Sequence, residues 1–173
     1  MKIGIVSDTH GRADVLRVAV ARLLERGVQA VVHCGDLGSK FCLDALGGLG
    51  VPVYAVGGNM DRALTDLERL ADIAGVTFAR DSLAFSVGEN ACVAVAHGHD
   101  PHVLAGLMDD PANQFVLHGH SHCRRDEHVA WDDREDPVHV INPGALRDPR
   151  DGAPAAMALL DTDNDTVEFI DLP

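Results

Sequence analysis

Residues 2–36 read KIGIVSDTHGRADVLRVAVARLLERGVQAVVHCGD, and this stretch decides the fold. Lys2–Ser7 is a short run rich in β-branched residues, which predicts a buried strand. The polar DTHGRAD segment after it reads as a loop. From Val15 to Arg26 the apolar residues Leu16, Ala19, Val20, Leu23 and Leu24 recur at helical spacing, one face of an amphipathic helix. Gly27 stops it in the position where helices commonly end, and Val28–Cys34 predicts a second strand. Working outward, a short helix is expected over Lys40–Leu46, a strand over Val51–Val56 and a helix over Ala63–Ile73, broken by Gly75. This β-α-β-α-β-α alternation implies a largely parallel sheet covered by helices.

The rhythm changes in the second half. Ser82–Val87, Ala91–Ala96, Phe115–His118, Glu127–Trp131, Pro137–Ile141, Ala153–Asp161 and Asp165–Leu172 predict short strands, with one helix near His102–Met108. Gly88-Glu89-Asn90 and Asp161–Asp165 resemble hairpin turns, so this half is expected to be mostly antiparallel. The expected architecture is α/β (α+β): two mixed β-sheets face to face with helices outside, residues 1–173 forming one domain.

The 173 residues carry 14 Lys+Arg against 27 Asp+Glu, a formal charge of −13. Lysine occurs only at positions 2 and 40. Affinity for duplex nucleic acid or anionic membrane comes from Lys and Arg neutralising phosphate, and this balance argues against both. The acidic surplus fits a solvated surface or adaptation to high salt, where screening shrinks self-repulsion. No apolar run approaches the ~20 residues that cross a bilayer, and Asp8 and His10 interrupt the first apolar run too early for a signal peptide. A cytoplasmic protein is expected, with Cys34, Cys42, Cys92 and Cys123 reduced.

The chemistry collects where strands end. The predicted strands run into Asp8-Thr9-His10, Gly35-Asp36, Gly58-Asn59-Met60-Asp61, His97-Gly98-His99 and Gly119-His120-Ser121-His122. In an open α/β sheet the carboxyl ends of the strands form the binding edge. Residues i and i+2 of an extended chain point the same way, so Asp8 and His10, and His120 and His122, are expected to aim together. Carboxylates and imidazoles are metal ligands, and an aspartate can bridge two cations through its two oxygens. Each element alone is weak: a Gly-Asp or Gly-Asn pair is a turn signal, and a lone Asp-x-His is more often a loop pair. Their succession at five strand ends is specific. The set is too large for one ion and suggests two, about 3.5–4 Å apart, an arrangement suited to in-line displacement at phosphorus.

The series SDTHG, HCGDLG, VGGNMD, HGH, LHGHSH and INPGALRDPR resembles the calcineurin-like metallophosphoesterases, and among them the small YfcE-type phosphodiesterases. The likeness runs over essentially the whole chain. It implies a four-layer αββα sandwich. It also implies that Asp8, His10, Asp36 and His122 hold one metal, with Asp36 bridging, and that Asn59, His97 and His120 hold the second. Two divalent transition-metal ions follow, Mn or Ni favoured, with Fe, Co or Zn as further options. One departure concerns the usual Gly-Asn-His-Asp element. It reads Gly58-Asn59-Met60-Asp61 here, and methionine cannot give a proton to a leaving group.

The expected reaction is hydrolysis of a small phosphodiester by a metal-bridging hydroxide. Asp36 and Asn59 are its catalytic ligands, and His99 is a candidate replacement acid. Arg147, after the Asn142-Pro143-Gly144-Ala145 element that resembles the floor of such sites, is a candidate phosphate contact. His33, Cys34, His118 and Cys123 read as packing residues. Two competing functions are a non-catalytic scaffold on the same fold, which loss of ligands would favour, and a phosphomonoesterase, which Met60 disfavours. Relatives often pair as homodimers, although no feature here demands it.

Overall fold

The structure, a computed structural model, describes residues 1–89, 91–130, 135–150 and 152–172. Strands β1 (Lys2–Val6), β2 (Ala30–His33), β3 (Val53–Val56) and β4 (Thr77–Ala79) alternate with helices α1 (Ala13–Glu25), α2 (Lys40–Leu46) and α3 (Leu67–Ala74). There follow β5 (Ser82–Ser86), β6 (Cys92–Ala96), α4 (Pro101–Asp109), β7 (Asn113–Leu117), β8 (Arg124–Val129), β9 (Val138–Pro143), β10 (Ala156–Asp161) and β11 (Thr166–Asp171). The first sheet has the order β11-β10-β1-β2-β3-β4 and the second β5-β6-β7-β9-β8.

The two sheets meet through Ile3, Ile5, Val32, Val56, Val93, Val95, Leu117, Ile141 and Leu160, all with no exposed surface. The other face of the first sheet packs on α1–α3 through residues such as Val6, Val31, Leu16, Leu23, Leu43 and Leu67. Leu104, Leu107 and Met108 of α4 cover Ala94, Val116 and Val140 of the second. The order helix, sheet, sheet, helix is the four-layer sandwich expected. Strands buried on both faces read as unbroken apolar runs, which is why β1, β2 and β6 stood out in the sequence. Gly4 permits α1 to sit close: a Cβ there would lie 2.8 Å from Leu23 Cδ1.

Several expectations need correction. The second half is mostly antiparallel, through β5–β6, β8–β9 and β10–β11, but it also contains parallel pairings that the sequence did not indicate. β6 pairs with β7, and β7 with β9, in parallel; α4 is the crossover that permits the first of these. The hairpin β10–β11 leaves this sheet altogether and joins the first through antiparallel β1–β10 pairing. The helix expected over Ala63–Ile73 is split: Asn59–Ala63 is a 3-10 turn, and α3 starts only at Leu67. The strand expected at Glu127–Trp131 begins earlier, at Arg124. It is a sheet edge, where charged residues such as Arg124, Arg125 and Asp126 are tolerated and discourage further pairing. The three-residue β4, also an edge, gave no sequence signal. Asn90 of one predicted turn and Trp131 lie outside the described residues.

Candidate metal centre

The carboxyl ends of β1, β2, β3, β6 and β7 lie together, as expected, and their loops are sewn to one another by backbone hydrogen bonds. Asp8 N–H donates to Gly35 O, His10 N–H to Asp36 O and Gly119 N–H to His97 O, at 3.0–3.1 Å. After β9, the Asn142 amide donates to Gly119 O at 2.8 Å and its oxygen accepts from Gly144 N–H. Leu146 and Arg147 then donate to Ser7 O and Asp8 O. The Asn-Pro-Gly-Ala element therefore forms the floor that holds the β1 and β7 loops in place.

Two clusters of ligand atoms meet at Asp8. Asp8, His10 and His122 form one; Asp8, Asp36 and His97 form the other. Asp8 Oδ1 lies 3.2 Å from His122 Nε2 and 4.0 Å from His97 Nε2. Asp36 Oδ2 lies 3.4 Å from His97 Nε2 and 3.8 Å from His10 Nε2. Each carboxylate presents a single oxygen to the centre. Asp8 Oδ2 is occupied by the Ser7 hydroxyl at 2.7 Å and His120 N–H at 3.1 Å, and Asp36 Oδ1 by Met60 N–H at 2.9 Å. Oδ1 of Asp36 is thus shared with its backbone partner, while Oδ2 faces His97 and His10.

The donor set fits divalent cations. His97 Nδ1 bonds Cys34 O, and His122 Nδ1 bonds Asp148 O, both at 2.8 Å. A carbonyl only accepts, so these nitrogens carry protons and the Nε2 atoms are left facing the carboxylates. A ring nitrogen aimed at a carboxylate oxygen needs a proton or a cation between them. Asp8 Oδ1, His97 Nε2 and Asn59 Oδ1 are buried atoms without a hydrogen-bond partner, which ordinary folding would not leave so. Burial opposes charge on the His97 ring, but the Asp36 carboxylate outweighs it and holds the ring above its ordinary range. Asn59 and His120 line the same cleft as His10, Asp36 and His122. His120, whose basicity is lowered by burial and by the His97 ring, is the most exposed of these side chains.

The backbone did not behave as expected. Asp8, His10, Asp36, His120 and His122 all have φ between +46° and +66°; none is extended. These side chains converge because tight left-handed turns follow β1, β2 and β7, not because residues alternate along a strand. Asp and His adopt this region more readily than most residues, at about 1–2 kcal/mol each. Gly119 serves the close approach: a Cβ there would collide with the Ser7 hydroxyl.

A model of the calcineurin-like phosphoesterase superfamily domain matches residues 1–165. The chain belongs to that superfamily. Phosphodiesterase MJ0936 of Methanocaldococcus jannaschii is 33% identical over 164 residues, covering 94% of each chain. A solved structure described as a novel archaeal phosphodiesterase superposes with a TM-score of 0.81 at 33% identity, over 99% of this chain and 100% of its own. The Escherichia coli phosphoesterase Yfce superposes over the full length of both chains with a TM-score of 0.70 at 20% identity, a likeness of fold.

This phosphoesterase domain departs from the sequence reading at its periphery. His99 lines a neighbouring cleft with His97, Arg62, Asp81 and Val103, its ring 5.5 Å from that of His97 and 6.2 Å from that of His120. Arg62 reaches His99 Nε2 at 3.1 Å. A guanidinium only donates, so His99 is held neutral with its proton on Nδ1; burial, His97 and Arg62 all lower its basicity. Arg147 is tied to His10 O at 3.0 Å and to Asp148 at 3.3 Å, at the rim. Arg150, three residues on in the same INPGALRDPR segment, lines the ligand cleft; its place in that segment was the available signal.

Asp61 was passed over as well. Its buried carboxylate accepts from Leu37, Gly38 and Gly58 N–H at 2.8–3.0 Å, locking the loops that carry Asp36 and Asn59. His33 is more than packing: it bonds the Thr9 hydroxyl and accepts from Gly35 N–H at 3.2 Å. Cys34 packs as expected, yet its carbonyl orients His97. His118 lies beside Gly119 O at 3.1 Å and the Asn142 amide at 3.3 Å. Cys123 is half-buried, its N–H and thiol donating to Ser121 at 3.3 and 3.4 Å.

Burial lowers His33 from 6.5 to about 3. The unfolded ring takes up a proton as pH falls through 6.5 and the folded ring not until about 3. Stability is therefore expected to fall across that window as acid is added, by at most about 1.4 kcal/mol per pH unit from this group. His33→Gln should flatten the profile in denaturant titrations of chelated protein between pH 7 and 4; parallel profiles would show that His33 contributes nothing.

Proposed function

We propose that this chain is a dinuclear metal-dependent phosphodiesterase acting on a small, diffusible diester. The observation that carries this reading is the pair of ligand clusters sharing Asp8, with unpartnered Asp8 Oδ1, Asn59 Oδ1 and His97 Nε2 turned into them. Asp8, His10, Asp36 and His122 would hold one cation; Asp36, Asn59, His97 and His120 would hold the other. The imidazole nitrogens in this mixed nitrogen and oxygen set suit Mn, Ni, Fe, Co or Zn better than Ca or Mg. Divalent ions there supply charge stabilisation at phosphorus and a water acidic enough to attack near neutral pH.

The chain's own residues do the rest. Cys34 O and Asp148 O fix the tautomers of His97 and His122, so each ring, when neutral, has its free lone pair at Nε2. Arg150 stands at the mouth as a phosphate contact, with Arg147 behind it at the rim. Met60, 57% exposed, occupies the place of a proton donor without being one. His99, held neutral by Arg62 with its one proton on a buried Nδ1, is a poor donor to a leaving group. Such a site favours diesters whose leaving groups need little protonation. The cleft of about 310 Å³ matches the lower end of small-ligand sites. The phosphodiesterase named among the relatives supports the same class.

The test is hydrolysis of bis-p-nitrophenyl phosphate after chelation, with Mn, Ni, Fe, Co or Zn restored singly. Chelated protein should lose turnover and regain it with metal, with the monoester p-nitrophenyl phosphate the poorer substrate. No metal-dependent activity on either ester would remove the enzyme reading in favour of a scaffold, and preference for the monoester would remove the diesterase one.

A further inference from the structure

At the far end of β8 and β9 lies a second cluster, unrelated to the ligands above. His128 and His139 are directly paired across the two strands, with rings stacked at 4.1 Å. The first sheet meets them through Asp165, which begins the return of the β10–β11 hairpin. His139 Nδ1 lies 2.6 Å from Asp165 Oδ1, and His128 Nε2 lies 2.7 Å from Asp165 Oδ2. On its other side His139 Nε2 lies 2.7 Å from Asp126 Oδ1. His128 stands four residues along β8 from Arg124, about 13 Å further from the first centre.

His139 is the key. Its side chain is 3% exposed and has a carboxylate oxygen against each ring nitrogen. A neutral imidazole has one N–H and one lone pair. Asp126 takes the N–H at Nε2, and Nδ1 then faces an Asp165 oxygen, an arrangement that needs a second ring proton or a cation bound by both. A buried imidazole, ordered by a carboxylate on its far nitrogen, is how metal-binding histidines are held. Protonating both rings instead would stack two like charges face to face.

We propose that His128, His139 and Asp165 form a separate structural site for a Zn-class dication, with Asp126 as the positioning carboxylate. Two nitrogens and a carboxylate suit zinc, and a dication balances Asp126 and Asp165. His128 and Asp165 are about half exposed, which leaves an entry path and room for a water ligand. Because the ligands come from both sheets, the ion would clip the second sheet to the terminal hairpin of the first.

The test is equilibrium dialysis of the full chain against Zn2+, with metal analysis and thermal unfolding. Asp165→Asn suits it, since Asp165 has φ +51° and Asn keeps left-handed backbone readily; His128→Gln, at an exposed strand position, is the second variant. Wild type should hold one ion per chain more than either variant and gain a zinc-dependent rise in Tm that both lose. Co2+ loading should show a tetrahedral visible spectrum missing from the variants, and bis-p-nitrophenyl phosphate turnover should match wild type. Equal zinc content in wild type and both variants would overturn the proposal and leave the cluster as protonated histidine ion pairs.

Discussion

Asp36→Asn should lower bis-p-nitrophenyl phosphate turnover on the order of a thousandfold or more, and reduce bound metal below two ions per chain. The size of the effect comes from how Asp36 is held. Met60 N–H donates to Oδ1 at 2.9 Å, so an asparagine must place its carbonyl oxygen there. Its amide nitrogen is then forced into the Oδ2 position, the atom 3.4 Å from His97 Nε2 and 3.8 Å from His10 Nε2. A donor replaces an acceptor at the point facing His97 and His10, and a negative charge is lost with it. The fold should survive, because the Met60 bond is kept. Metal analysis alongside denaturant unfolding separates the outcomes: a folded variant with both ions and near-normal turnover would mean that Asp36 is no ligand.

Asp61→Ala should destabilise the protein by about 3 kcal/mol or more. The 1% exposed carboxylate satisfies three backbone N–H groups, and each buried donor left without a partner costs about 1–3 kcal/mol. Those donors belong to the loops after β2 and β3, so metal affinity should fall with stability although Asp61 faces away from the cluster atoms. Asp61→Asn should sit between: its oxygen can serve Leu37 and Gly58, while its NH2 meets Gly38 N–H. Urea denaturation of the chelated chain decides this, and a loss under about 1 kcal/mol in the alanine variant would refute the clamp.

The sequence showed the strands that end at the centre because they are apolar on both faces, and it showed the ligands because a polar triplet after such a run is conspicuous. The edges were less legible. β8 is written in Arg, Asp and Glu, and β4 is three residues long; neither alternates in a readable way. The parallel pairings of β7 depend on which strand lies beside which, a tertiary matter that local pattern does not encode. At the centre, residue identity was readable and backbone conformation was not: Asp-x-His looked extended and is left-handed at both ligands. Asp61 and His33 were hidden for the same reason, since their partners are backbone N–H and hydroxyl groups that only the folded loops bring near.

The left-handed backbone at Asp8, His10, Asp36, His120 and His122 also shapes how the chain can change over generations. At such positions only glycine, asparagine, aspartate and a few others fit without added strain. If these residues hold cations as proposed, a lineage that ceased to need them would drift first toward glycine or asparagine at these five places. Glycine would ease the turns while the loops kept their course. Catalysis would be shed one side chain at a time beneath an unaltered outline, and the mouth of the sandwich would pass, still correctly shaped, to whatever partner selection next favoured.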